Sequence, residues 1–85
     1  MTDRIDLLSS SLDIDVYKGL ISCMDNDKLT KDEINILKSL KNEKNRFWGN
    51  WPLYAIAAGI LNRYNIEKYS GNDFYIKSFI EMWKN

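Results

Sequence analysis

Apolar residues return at every third or fourth position in four separate stretches of this chain, and no strand-length alternation interrupts them. That spacing is the period of an α-helix, so each stretch predicts a helix with one face turned inward. The first runs Ile5, Leu8, Leu12, Val16, Leu20 and then Cys23 or Met24. The second is Ile34, Leu37 and Leu40. The third and cleanest is Leu53, Ile56, Ala57, Ile60, Leu61 and Tyr64. The fourth is Ile76, Phe79, Ile80 and Trp83.

Punctuation between the stripes sets the boundaries. Thr2 is placed to cap the first helix. Ser9, Ser10 and Ser11 are weak helix formers, so the first stripe is one long helix or two, broken near residue 11, with Asp13 capping the second start. "DNDK" (25–28) reads as a turn. Thr30 followed by Glu33 is a capping box, in which the hydroxyl and the carboxylate each satisfy one orphan amide. The helix it starts should run to about Lys44, with Lys38, Lys41 and Lys44 near its C-terminal dipole. In "WGNWP", Gly49 fits a helix end, Asn50 a cap and Pro52 an early helical position. Ala55 and Gly59, four apart beside the third stripe, permit close approach of a neighbouring helix. "YSGND" is the last turn, with Asn72 or Asp73 as cap. The expected architecture is all-α: a compact bundle of four or five short helices spanning residues 1–85 as a single domain.

Composition removes several classes of function. The 85 residues include one cysteine and no histidine, so an internal disulfide is impossible and no metal site is expected. No stretch resembles a signal peptide or a membrane span. A cytoplasmic protein is expected, without membrane attachment. Twelve basic and twelve acidic residues cancel, which gives no global attraction to nucleic acid. The neutrality hides an acidic first third and a basic middle.

Short motifs that suggest chemistry fail on inspection. "DNDKLTKDE" resembles the opening of a calcium-binding EF-hand loop, with Asp25 and Asp27 at the first and third positions. The glycine needed at position six is Thr30 and the glutamate needed at twelve is Ile36. Asp13 and Asp15 lie two apart, a spacing open to acid–base work or magnesium binding, yet nothing else supports that role, and a solvated helix start explains them. Cys23 has no histidine to activate it and falls on an apolar stripe, as a core residue does. "KLTKDEINILKSL" looks like the entry helix of a helix-turn-helix domain, but residues 52–64 offer only Asn62 and Arg63 to read bases. No nucleotide-binding fingerprint or nucleophile elbow is present, and no enzymatic activity or cofactor is expected.

One stretch stands apart. "KNEKNRFWGNWPLY" (41–54) sets Lys41, Lys44 and Arg46 ahead of Phe47, Trp48, Trp51 and Tyr54, and ten of the eleven aromatics lie between Phe47 and Trp83. So small a domain should not bury them all, and interfaces favour such residues. The first expectation is therefore a module that binds another protein through Arg46, Phe47, Trp48 and Trp51, with Asp13 and Asp15 as a charged docking surface. Of the two indoles Trp48 is the one expected at the surface, because Trp51 adjoins the third stripe. The abundance of Lys, Asn and Ile suits an AT-rich bacterial or phage genome. An inhibitor of host machinery or defence carried by a phage or mobile element, or a toxin-neutralising immunity protein, fits that class. The second expectation is a nucleotide or nucleic-acid binder in which Lys41, Lys44, Arg46 and Arg63 meet phosphates and Trp48 or Trp51 stacks on bases. A homo-oligomer is the third.

Overall fold

The broken first stripe is where the chain makes its first commitment. The computed structural model describes residues 4–25 and 28–83. The Thr2 cap, and Asn26 and Asp27 of the expected turn, lie outside the described residues. Helix α1 covers Arg4–Leu8 and helix α2 Asp13–Met24. Between them the Ser10 hydroxyl accepts from the Leu12 amide (3.1 Å) and donates to the Asp15 carboxylate (2.9 Å). Serine bonding to nearby backbone competes with the helix and breaks it here. The N-cap of α2 is Leu12, in extended conformation and without a side-chain cap bond, rather than Asp13. Leu12 consequently leaves the apolar stripe and is 59% exposed.

Helix α3 (Lys31–Leu40) starts with the full capping box. Thr30 Oγ1 accepts from the Glu33 amide (3.1 Å), and Glu33 Oε1 accepts from the Thr30 amide (2.8 Å). Glu33 does more than cap. Its carboxylate also accepts from Arg4 Nε (2.6 Å) and Nη2 (2.8 Å), which ties α1 to the start of α3. The helix stops at Leu40, one turn short of Lys44. Residues 41–46 contain no apolar side chain to bury, so tertiary packing offers nothing to extend it.

The fold is mostly helical but not purely all-α. Strand β1 (Phe47–Trp48) pairs antiparallel with β2 (Trp51–Pro52), in the register Phe47↔Pro52 and Trp48↔Trp51. Gly49 opens the two-residue loop with φ +64°. A positive φ at the first central position, where glycine carries no penalty, is the pattern of a type II′ hairpin turn. Gly49 is therefore a hairpin residue and not a helix end. The Leu53 amide donates to the Arg46 carbonyl (2.9 Å) and closes the ribbon below Pro52. Two-residue strands are too short to show alternation, which is why the sequence pattern missed them.

Pro52, not Asn50, is the N-cap of α4 (Leu53–Arg63). Every residue of this helix from Leu53 to Leu61 is buried, so it is the central element rather than one with a single inward face. Its stripe joins Leu8, Val16, Leu20, Cys23, Leu37 and Leu40 in the main core. Its other side, with Tyr54, Ala55 and Ala58, meets Ile76 in a second small cluster. Helix α5 (Phe74–Met82) is capped by Asp73, whose carboxylate accepts from the Ile76 amide (3.0 Å). It crosses α4 where Gly59 has no side chain: a Cβ there would lie 2.1 Å from Phe79 Cδ2. The radius of gyration is 11.7 Å, as expected for a compact chain of this length.

Candidate interaction surface at the tryptophan hairpin

Aromatic rings brace the hairpin on both sides. Toward α2, the Trp48 ring lies 5.6 Å from that of Tyr17, inclined at 30°. Toward α5, Trp51 meets Tyr75 edge-on at 5.7 Å and approaches Phe79 at 6.5 Å. Trp51 is half-buried, while Trp48 is 41% and Phe47 43% exposed. The buried indole Nε1 of Trp51 has no hydrogen-bond partner among the described residues.

The chain just ahead of the hairpin is clamped to α2. Arg46 Nε donates to Asp13 Oδ1 at 2.6 Å, and its Nη2 donates to the Ser10 carbonyl at 3.1 Å. Two segments that the sequence presents as separate candidates, Asp13–Asp15 and Arg46–Trp51, thus form one corner. Asp13 serves the clamp and Asp15 the serine turn, so the two are not a free carboxylate pair. Tyr17 lies beside Trp48, and Ile14, one helical turn away on α2, is exposed. Tyr17 was not among the sequence candidates. Its signal was present, since it is the sole aromatic before Phe47.

The four candidate phosphate ligands are not brought together. Lys41 pairs with Glu67. Lys44 Nζ sits 4.0 Å from the centroid of the Tyr54 ring, a cation–π contact. Arg46 is committed to Asp13. Arg63 Nη1 donates to the Trp83 carbonyl (2.7 Å), with its guanidinium 5.1 Å from the Trp83 ring centroid. Tyr54 and Arg63 stand near opposite ends of α4, roughly 13 Å apart along the axis. A phosphate would have to compete with an internal partner at each position.

Ionisable groups in the interior are tuned by structure. Burial pushes the Cys23 thiol up to about 11, against the opposing pull of Arg4. Burial and the hydrogen bond to Asp73 push the Tyr54 phenol up to about 12. Burial alone would raise Asp73, but the bond from Tyr54 and those from the Ile76 and Tyr75 amides outweigh it and hold the carboxyl low. The Tyr54–Asp73 hydrogen bond ties α4 to the start of α5. Among the described residues, no group of three or more His, Cys, Asp or Glu is placed to hold a metal ion. No helix there is long and apolar enough to cross a membrane.

No family model matches this chain, and no curated protein or solved structure matches it either.

Proposed function

We propose that this protein is a non-enzymatic interaction module that docks on another protein through the hairpin corner, with Trp48 as its anchor. The observation that carries the reading is the exposed Trp48 indole held on a braced support. Large aromatic anchors at interfaces contribute most when they are fixed before binding, because little conformational freedom is then lost. Trp48 rests on Tyr17, its strand is paired with β2, and the preceding Arg46 is clamped to Asp13. Phe47, Ile14 and Leu12 are exposed as well. The fitting partner presents an apolar cleft wide enough for an indole. The small size and the Lys-, Asn- and Ile-rich composition suit an inhibitor of host machinery or defence from a phage or mobile element, or an immunity protein.

The test is comparative capture from a lysate of the source organism with wild-type protein, Trp48→Ala and the surface control Lys28→Ala. A partner retained by wild type and Lys28→Ala, and bound at least about 30-fold more weakly by Trp48→Ala, is the expected result; it corresponds to about 2 kcal/mol. Trp48→Ala should keep the helical circular dichroism and a cooperative melt, lowered only by the roughly 1 kcal/mol of the lost Tyr17 contact. Equal capture by all three, or unfolding of Trp48→Ala, would make the stretch a structural corner.

A further inference from the structure

Helix α5 has a second apolar face that the fold leaves uncovered. Ile76, Phe79, Ile80 and Trp83 point into the protein. On the far side, Phe74 is 72% and Met82 66% exposed. They lie eight residues apart with Ser78 midway, so the three form one ridge at i, i+4 and i+8. Tyr75 borders the ridge, its ring 5.5 Å from that of Phe74.

We infer that this ridge is a self-association surface, occupied by α5 of a second copy running antiparallel. The ridge is complementary to itself under a two-fold axis at Ser78. The small Ser78 faces its own copy and lets the two backbones approach, and each Phe74 falls against the other copy's Met82. Thioether–aromatic contacts of that kind are favourable. The polar flank favours the same reversal, although it is centred one residue further on. With the axis at Ser78 each Glu81 lies near the other copy's Lys77 and the two Glu81 lie far apart, so two attractive pairs outweigh the one close Lys77–Lys77 approach. A parallel pairing would instead set like charge beside like charge.

Area agrees with a weak but specific dimer. Phe74, Tyr75 and Met82 together expose roughly 350 Å², taking about 200 Å² for a large side chain. With the polar flank, the pair buries on the order of 1,000 Å² in total, the lower limit for a specific interface. The inference does not rest on the Trp48 reading, since Trp48 packs on Tyr17 of α2 and the ridge meets the hairpin only at its border, where Tyr75 touches Trp51.

Sedimentation over a concentration series tests it. Wild type should shift from the 10.0 kDa monomer mass toward twice that value, while Phe74→Glu and Met82→Lys weaken association at least ten-fold with unchanged helical circular dichroism. Ser78→Cys provides a second, geometric readout. Mild oxidation should join two copies at this position, whereas Ser9→Cys on the exposed break between α1 and α2 should not couple, and the buried Cys23 does not compete. Wild type that remains monomeric at several hundred micromolar, or dimers that survive Phe74→Glu, would overturn the proposal. Such an outcome would leave the ridge to a different protein or a further segment of polypeptide. Phe74→Glu should keep any Trp48-dependent partner, so failure of one proposal is distinguishable from failure of the other.

Discussion

The Tyr17 ring of α2 lies 5.6 Å from the Trp48 indole of the hairpin, the two planes inclined at 30°. This contact joins elements 31 positions apart in the sequence and holds Trp48 at the surface instead of letting it fold onto the core. Tyr17→Ala should leave the helices intact and cost more than the roughly 1 kcal/mol of the aromatic pair alone, because Tyr17 also packs against the main core. The local effect should be larger than the global one. Amide exchange at Leu53, whose N–H closes the ribbon on Arg46, should accelerate, and Tyr17→Phe should restore it. Unchanged exchange in Tyr17→Ala would show that the ribbon does not need the brace.

Gly59 is the point of closest approach between α4 and α5. In an open helix, Gly→Ala would stabilise by about 1 kcal/mol. Here the added Cβ would meet Phe79 Cδ2 at 2.1 Å, and Phe79 is buried with Trp51 and Trp83 around it. Overpacking of that kind costs about 1–3 kcal/mol. Gly59→Ala should therefore lower the urea midpoint, and a double variant with Phe79→Leu should recover part of the loss. A raised midpoint in the single variant would show that α5 is free to move away.

Acid should expose the role of Glu33. Its hydrogen bond with Arg4 is the main cause that holds the carboxyl below its ordinary value of 4.5, helped by Thr30 and opposed by burial. The unfolded chain then takes up its proton first as pH falls. The stabilisation is complete above about pH 4.5 and is lost below it, as pH passes through the lower folded-state value. Glu33→Gln should flatten this acid limb in a series of thermal melts. Asp73, also held low, should keep some slope. At neutral pH Glu33→Ala should cost about 2 kcal/mol, because a half-buried guanidinium loses its charged hydrogen-bond partner along with the cap. Thr30→Ala should cost only about 1 kcal/mol for the cap. Equal costs would place the importance of Glu33 in capping alone.

Cys23 should be chemically silent in the folded protein. It is buried, and its thiol is pushed up to about 11, so almost no thiolate exists at pH 8. Iodoacetamide should modify it only through unfolding, at a rate that rises with urea. Rapid alkylation without denaturant would show that the α2–α4 packing opens readily.

Helix positions and the two caps Thr30 and Asp73 were legible because they depend on neighbours within one turn, whereas Asp13 and Asn50 gave way to Leu12 and Pro52. Thr30 and Glu33 lie three residues apart, and either residue type in that spacing selects the same bonds wherever the helix finally packs. Asp73 is fixed in the same local way. Legibility failed where a boundary depends on what lies across the fold. Nothing adjacent to Leu40 says that α3 must stop there; it stops because residues 41–46 find no apolar surface to cover. Leu12 fits the apolar spacing, yet the serine turn rotates it out to solvent.

The chain's local pattern thus determined that this would be a mostly helical protein, where most helices begin, and that its aromatics would exceed what the core absorbs. The tertiary structure alone decided which charges are spent internally and which rings remain outside. Arg46 reads as a phosphate ligand until Asp13, 33 positions away, takes its guanidinium. Glu33 reads as a cap until Arg4 arrives from α1. Periodicity records only which face of an element is apolar. Ion pairs and ring contacts between distant segments depend on where those faces meet, and that is a property of the packed chain as a whole.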